Sequence, residues 1–415
     1  MRCSPTGWMQ PCSSLHCDGH AGSGAPRRGR WHVREAKPFV EWIVKVAQPC
    51  NLACDHCYVY ELRDRTWRYK PSVMATATMD QLAVRIGEYV RRHALPRIRI
   101  TIHGGEPLLA GPSRIEHLVT AVRRELRGAA ECGISLQSNA TLLNPLWMDL
   151  FRRHAVSVGV SLDGGRDAND RHRRGRNGRS SYDSVRRGLE LLRRPENKAL
   201  FAGLLCTVDI ANPPVRVYEA LLAHEPPAVN FLLPHATWEH PPPGHDPSRM
   251  PYAEWLLAVF ERWYSAPRQE TRIRLFENIM DLALGGDVRS ESVGLADTDF
   301  LVVESDGTIE LSDSLKATRE GAAATGLDIF AHDFDSVARH PDVADARRGG
   351  LSALADVCRA CEVVSLCGGG TRAHRFHPAT GFANPSVYSA DLRLLTTRIR
   401  DRVVADAAAL LRSAS

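Results

Sequence analysis

The 415-residue chain has no apolar run near the roughly 20 residues that a membrane-spanning helix needs, and its first thirty residues lack the apolar core of a secretory signal. A membrane protein and an exported one are both disfavoured, and the cytoplasm is the expected location. Charge of one sign is also missing. Lys and Arg number 53 against 48 Asp and Glu, leaving +5, which is mild for this length. The densest basic run, "RHRRGRNGR" (171–179), holds no aromatic residue, so nucleic acid is not an expected partner. No repeat of roughly 20 to 50 residues is found, which argues against a solenoid or propeller. What remains is ordinary globular composition, 44% hydrophobic and 24% charged, enough for one large domain and a smaller one.

Eleven cysteines would suit disulfides in a small secreted domain. In a long chain without an export signal, clustered cysteines point instead to metal or to chemistry. Cys3, Cys12 and Cys17 fall in residues 1–36, a Gly-, Ser-, Pro- and Arg-rich stretch without apolar period, which reads as a disordered arm with incidental thiols.

From Phe39 onward, short β-rich runs alternate with amphipathic stretches. Strands are expected at 39–47, 97–103, 133–139, 156–163, 201–209 and 229–235, with five helices between them. Strand-helix alternation means parallel strands joined by right-handed crossovers, and a curled sheet of this kind is an α/β fold, a partial (β/α)6 TIM-like barrel, over 37–240. Function gathers at the strand C-termini in such folds. A cysteine cluster follows the first strand, "HGGEP" the second, "SNA" ends the third and "SLDG" the fourth, all on one rim. After a linker region at 241–290, a hairpin turning at Asp306 and Gly307 and a second cysteine group define a smaller domain at 291–395, followed by a C-terminal helix at 396–415.

"QPCNLACDHCYVYE" (48–61) places Cys50, Cys54 and Cys57 within eight residues. Structural zinc usually takes four ligands. Three thiolates on a four-iron cluster leave one iron open for a substrate or cosubstrate, and low-potential clusters of this kind deliver electrons. The spacing C-x3-C-x2-C after the first strand of a βα barrel resembles the signature of radical SAM enzymes, with a likeness over about 39–240. That resemblance implies a 4Fe-4S cluster on Cys50, Cys54 and Cys57, S-adenosyl-L-methionine (SAM) as cosubstrate, and an external electron donor such as ferredoxin or flavodoxin. In "GGEP", Gly104 and Gly105 let the backbone approach a ligand, and Glu106, followed by Pro107, can accept charge-assisted hydrogen bonds from the methionine amine. "QSNA" is similar to the "QTNG" of related peptide-modifying enzymes, which implies SAM contacts from Ser138 and Asn139. Ala140 departs from the glycine, so the local turn is open to change if its φ is positive. "SLDG" adds Ser161 on the SAM side and Asp163, which either caps a turn or works at the active site. The segment "DANDRHRRGRNGRSSYDSV" resembles one that puts Asp170, Arg173 and Tyr182 near the active-site mouth, with a solvated basic loop as the alternative.

The second group, "CRACEVVSLC", supplies Cys358, Cys361 and Cys367 with spacing C-x2-C-x5-C. Taken alone it fits zinc as well as iron. Joined to the first triplet it resembles the SPASM/Twitch-like domain that carries auxiliary iron-sulfur clusters. "CNLACDHCYVYE", "HGGEPLLAG", "FLLPHATW", "CGGG" with "AHRF", and "NPSVYSADL" together look like the FxsB-type radical SAM/SPASM proteins. That likeness implies an oxidoreductase that modifies a ribosomally made precursor peptide by forming a cyclophane, an aromatic ring carbon joined to the Cβ of a residue two positions away; the alternatives are thioether or formylglycine formation by the same radical step, or a non-catalytic iron-sulfur protein that binds peptides or carries electrons. Ser312, Thr371 and Ser389 stand where the family has cysteines, which leaves one auxiliary cluster with three thiolates and a fourth ligand taken from Ser389, Asp313, solvent or substrate.

Overall fold

Alternation fixes how the first strand lies. In β1 (Glu41–Ala47), Trp42, Val44 and Val46 are fully buried, and Trp42 meets Tyr89 of helix α1 (Thr76–Arg92) edge-on at 6.0 Å. This face packs on helices, while Ile43 and Lys45 project from the opposite face. The computed structural model describes residues 37–246 and 248–414. The expected arm, with Cys3, Cys12 and Cys17, lies outside the described residues.

The expected strand-helix alternation is present. After α1 come β2 (Arg97–Gly104), α2 (Pro112–Glu125), β3 (Glu131–Ser138), α3 (Pro145–Arg153) and β4 (Val156–Ser161). Then follow α4 (Arg166–His172), α5 (Tyr182–Arg193), β5 (Phe201–Thr207), α6 (Pro214–Leu222) and β6 (Ala228–Leu232). Strands β1 to β6 are neighbours in sequence order and all parallel. Helix α4 is the addition, in a stretch too polar and too short to show a period. The inner face is polar: Thr101 and Ser135 hydroxyls lie 3.2 Å apart, and Gln137 donates to Ser161 at 3.0 Å. The sheet curls, because His235, just beyond β6, reaches Tyr58 in the loop after β1, ring centroids 5.0 Å apart.

The remaining chain extends that sheet. Helix α7 (Pro251–Tyr264), β7 (Arg272–Ile273) and α8 (Arg274–Ala283) are followed by β8 (Phe300–Val303), β9 (Thr308–Glu310) and β10 (Ala324–Asp328). The hairpin forms where expected, with Gly307 at φ 88°. It is not a separate sheet, since β8 pairs in parallel with β1 and the order runs β10-β9-β8-β1-β2-β3-β4-β5-β6-β7. The C-terminal helix spans Ser389–Ala414 and so begins before residue 396. Its Asp391 carboxylate accepts from the Tyr252 and Ala253 N–H groups, capping α7 and fixing the earlier start. Among the described residues no helix is long and apolar enough to cross a membrane.

Candidate iron-sulfur and cofactor site

The loop after β1 brings three thiols together without a disulfide. Burial pushes the Cys50 thiol up to about 11 and the Cys54 thiol up to about 12, and each is raised further by its neighbours in the triplet. Three thiolates at this spot therefore require positive charge between them, which iron supplies, and the donor set fits a cluster. Cys50 accepts from the Leu52 N–H at 3.4 Å and from the Asn139 side-chain amide at 3.7 Å. Cys57 accepts from the Val59 and Tyr60 N–H groups.

The two glycines of "GGEP" serve the protein's own backbone. A Cβ on Gly104 would strike the Ala47 carbonyl oxygen, and one on Gly105 would strike the Tyr60 hydroxyl and the Gln48 and Pro49 carbonyls. Their absence of side chain lets the end of β2 lie against the cysteine loop. Gly105→Ala is expected to cost about 1–3 kcal/mol by overpacking and to lower the iron bound after reconstitution. Denaturant titration and an iron assay check this; unchanged values in both would mean the loop yields freely.

Glu106 is fully buried. Its carboxylate accepts from Ser138 Oγ at 2.9 Å, the Asn139 N–H at 2.8 Å and the Leu108 N–H at 3.1 Å, the last capping a short 3-10 turn that begins at Pro107. Burial raises its pKa to about 7 against the pull of those donors. The turn that Ala140 put in question keeps its left-handed form, Ala140 sitting at φ 59°. Gly188 of α5 packs so tightly there that a Cβ would meet the Ala140 carbonyl oxygen at 2.5 Å.

Asp163 does not cap its own turn. It is buried, accepts from the Thr207 N–H at 2.9 Å and from Arg173 Nε at 2.7 Å, and lies 3.8 Å from His56 Nε2. Burial disfavours the Arg173 cation, but Asp163 and Cys54 outweigh it and hold its pKa above the usual range. Burial and Arg173 push His56 down to about 4, so it is neutral. The basic run is largely exposed, as a solvated loop would be, but it is tied to the cysteine loop: Arg174 O accepts from the Ala53 N–H at 2.8 Å, Arg176 donates to Cys50 O at 2.8 Å, and His172 meets Asp55 at 2.8 Å. Of its charges, Arg173 is set beside Cys54, whereas Arg171 pairs with Asp209 and Arg174 turns back onto Asp170 O. Asp170 is not brought to that loop; its carboxylate accepts from the adjacent Asn169 amide at 3.2 Å. Tyr182 is likewise outside, under the Arg166 guanidinium at 5.1 Å.

Sequence reasoning missed a buried ionic core beside the cysteine loop. Lys45 pairs with Asp313 at 2.6 Å, and Lys316 reaches Glu304, Glu310 and Asp313 at 2.6, 2.8 and 3.2 Å. Glu304, Glu310 and Asp313 could together ligate a metal, but Lys316 occupies their centre. This pairing removes Asp313 from the candidate ligands of the auxiliary cluster. Tyr58 donates to Asp313 at 3.4 Å and begins a row of rings: Tyr58 to His235 at 5.0 Å, His235 to His374 at 5.7 Å, His374 to Tyr388 at 5.0 Å.

Cys358, Cys361 and Cys367 line one cavity of about 500 Å³ together with Ser386, Ser389 and Arg393. Gly368, Gly369 and Gly370 follow in succession at φ 61°, 76° and 67°, a path that favours glycine and that turns the Gly369 and Gly370 N–H groups onto Cys367. Three soft donors and a hydroxyl around one cavity fit an iron-sulfur cluster. Ser312 instead meets Ser314 at 2.8 Å, and Ser314 donates to Glu291 at 2.8 Å. Among the described residues the other two cysteines, Cys132 and Cys206, stand apart from both groups, on β3 and β5.

A three-cysteine loop at the C-terminal rim of a partial parallel barrel, backed by a buried carboxylate and a polar lumen, fits an enzyme built around an iron-sulfur cluster. Residues 44–198, which hold the cysteine loop, Glu106 and Asp163, match the model of the Radical SAM superfamily, and the enzyme's cofactors are a 4Fe-4S cluster and SAM. It is 26% identical over 357 residues to the serine-type anaerobic sulfatase-maturating enzyme of Klebsiella pneumoniae, covering 82% of this chain and 83% of that one. Its fold is similar to that of anSMEcpe with bound AdoMet, with TM-score 0.75 and 20% identity, covering 89% of this chain and 99% of that one. SuiB of Streptococcus suis, bound to precursor peptide SuiA, is similar at TM-score 0.57 and 12% identity, covering 84% and 76%.

Proposed function

We propose that this enzyme installs a carbon-carbon crosslink, a three-residue cyclophane, in a ribosomally made precursor peptide. The observation that carries the proposal is convergence. Tyr58, His235, His374 and Tyr388 come from four separate segments that carry the FxsB-type resemblance, and they form one row between the two cysteine sites. When bound, the cofactors supply a 5'-deoxyadenosyl radical that takes a hydrogen atom and, at the auxiliary SPASM-like site, an acceptor for one electron.

The chain's own residues do the rest. Cys50, Cys54 and Cys57 hold the first cluster, with Gly104, Gly105, Glu106, Pro107, Ser138 and Ser161 forming the SAM edge and Asn139 turned to the Cys50 sulfur behind it. Asp163 and Arg173 hold the cysteine loop closed, and Cys358, Cys361 and Cys367 hold the second cluster, with Ser389 at its fourth position. The polar lumen orients a peptide segment and the curled sheet keeps bulk water out. An external donor such as ferredoxin or flavodoxin supplies the reducing electron.

A second reading, oxidation of Ser or Cys to formylglycine, is favoured by the likeness to relatives named for sulfatase maturation. Co-expression with the peptide encoded beside the gene separates the two. A product two hydrogens lighter, with its aromatic ring substituted in tandem mass spectra, supports the crosslink; an aldehyde captured by a hydrazide probe supports formylglycine; an unchanged peptide refutes both. Replacing Cys358, Cys361 and Cys367 together by Ala is expected to leave SAM cleavage in place and abolish peptide modification. Full modification by that variant would show that the second site has no part in the reaction.

A further inference from the structure

Asn139 was expected on the SAM side, yet its N–H and both side-chain amide atoms are engaged by the protein. It is 8% exposed. Its N–H donates to Glu106 at 2.8 Å. Its side-chain oxygen accepts from the Thr141 N–H at 3.0 Å and the Thr141 hydroxyl at 2.7 Å. The Thr141 N–H is always a donor, so the amide oxygen must face it and the NH₂ must face away. That NH₂ points at Cys50 Sγ, 3.7 Å distant, and at Asn51 Oδ1, 2.9 Å distant. Asn51 in turn donates to Thr141 Oγ1 at 2.8 Å, closing a ring of hydrogen bonds Asn139 to Asn51 to Thr141 to Asn139. The ring leaves the amide no freedom to turn, and the buried Glu106 holds it from behind.

We propose that Asn139 sets the reduction potential of the cluster on Cys50, Cys54 and Cys57 through its N–H···S bond to Cys50. A donor aimed at a ligating sulfur stabilises the added electron and raises the potential, more so where water is excluded. The other donor on Cys50 is the Leu52 backbone N–H, and those on Cys57 are backbone as well. Among the described residues Asn139 is thus the side chain that donates a hydrogen bond to these sulfurs, beside the longer-range charges of Arg173 and Lys45. Glu106, Asn51 and Thr141 are positioning residues for it. The proposal concerns the cluster alone and stands whatever peptide chemistry the enzyme performs.

The test is an EPR-monitored redox titration of the reconstituted full chain, following the signal that changes when SAM is added, since that one belongs to the N-terminal cluster. Asn139→Leu should lower the midpoint, and Asn139→Asp should lower it further because a carboxylate replaces the donor. Thr141→Val, which keeps the amide but releases its clamp, should give a smaller lowering in the same direction. Iron content and SAM affinity by equilibrium dialysis are measured alongside, and the expected result is a lowered midpoint with SAM affinity retained. Midpoints equal to wild type in cluster-loaded variants, with weakened SAM binding, would overturn the proposal in favour of a direct SAM contact. Loss of the cluster in both the Asn139 and Thr141 variants would overturn it too, by making the amide a structural clamp.

Discussion

Replacing Cys50, Cys54 or Cys57 singly by Ala is expected to remove about four irons per chain and to take 5'-deoxyadenosine formation below detection. Each thiol is held up by burial, with Cys50 near 11 and Cys54 near 12, so the site has little tendency to stay ionised unless metal is bound. Removing one ligand leaves two thiolates and an iron open to water, and the remaining assembly should not persist. The polypeptide itself should tolerate the change, because the three cysteines are only partly buried and lie in a loop. An iron and sulfide assay, with chromatography of the nucleoside product, reads the outcome. A single variant that keeps its iron and makes deoxyadenosine at the normal rate would mean that another ligand set carries the chemistry.

Lys316→Met should cost about 3–5 kcal/mol of folding stability, the usual penalty for leaving buried charge without its partner. Lys316 is 3% exposed, and the carboxylates it serves, Glu304 and Glu310, are 1% and 2% exposed. In the native protein burial raises all three acids, but Lys316 and Lys45 pull Glu304 down to about 2 and hold Asp313 well below the ordinary range, while Glu304 leaves Glu310 raised to about 7. Without the lysine, Glu304 and Glu310 should both titrate above the unfolded value. Their folded state then binds more protons than the unfolded chain, so the deficit should shrink as pH falls from 8 toward 5 and be largest above about 7. Urea titrations across that range check both magnitude and sign. A pH-independent deficit under about 1 kcal/mol would show that water reaches these carboxylates.

The alternation of short strands and helices was readable because its physical cause is local: period-2 runs such as "RIRITIH" bury one face, and amphipathic stretches such as α1 bury a stripe. The cysteine triplet and Glu106 were readable for the same reason, since each motif is contiguous. The ionic core was not. Lys45 sits in "FVEWIVKVA", where alternation says only that it leaves the outer face, and its partner Asp313 lies far along the chain on another element. Asp163 shows the same limit: a short-range rule suggests a cap, whereas its actual partners, Arg173 and the Thr207 N–H, depend on how α4 and β5 are placed. Gly104 and Gly105 were singled out correctly as close-approach positions, but what approaches is the chain's own β1 loop. Ala140 holds its turn in the left-handed region at φ 59°, where glycine is favoured.

Strand β1 is flanked on both sides by parallel partners, β2 almost at once and β8 roughly 260 residues later. On a ribosome adding about 5–20 residues per second, that second flank stays open for roughly 10–50 s. During this interval β1 presents a row of unsatisfied N–H and C=O groups, and Lys45 has no Asp313 to meet. Such an edge is a template for pairing with another nascent chain, and the distant partner makes its closure slow. A chain stopped before Phe300 would carry this exposed edge permanently, so a barrel expressed without residues 300–415 should aggregate, and chaperone occupancy during synthesis should fall only once β8 has emerged.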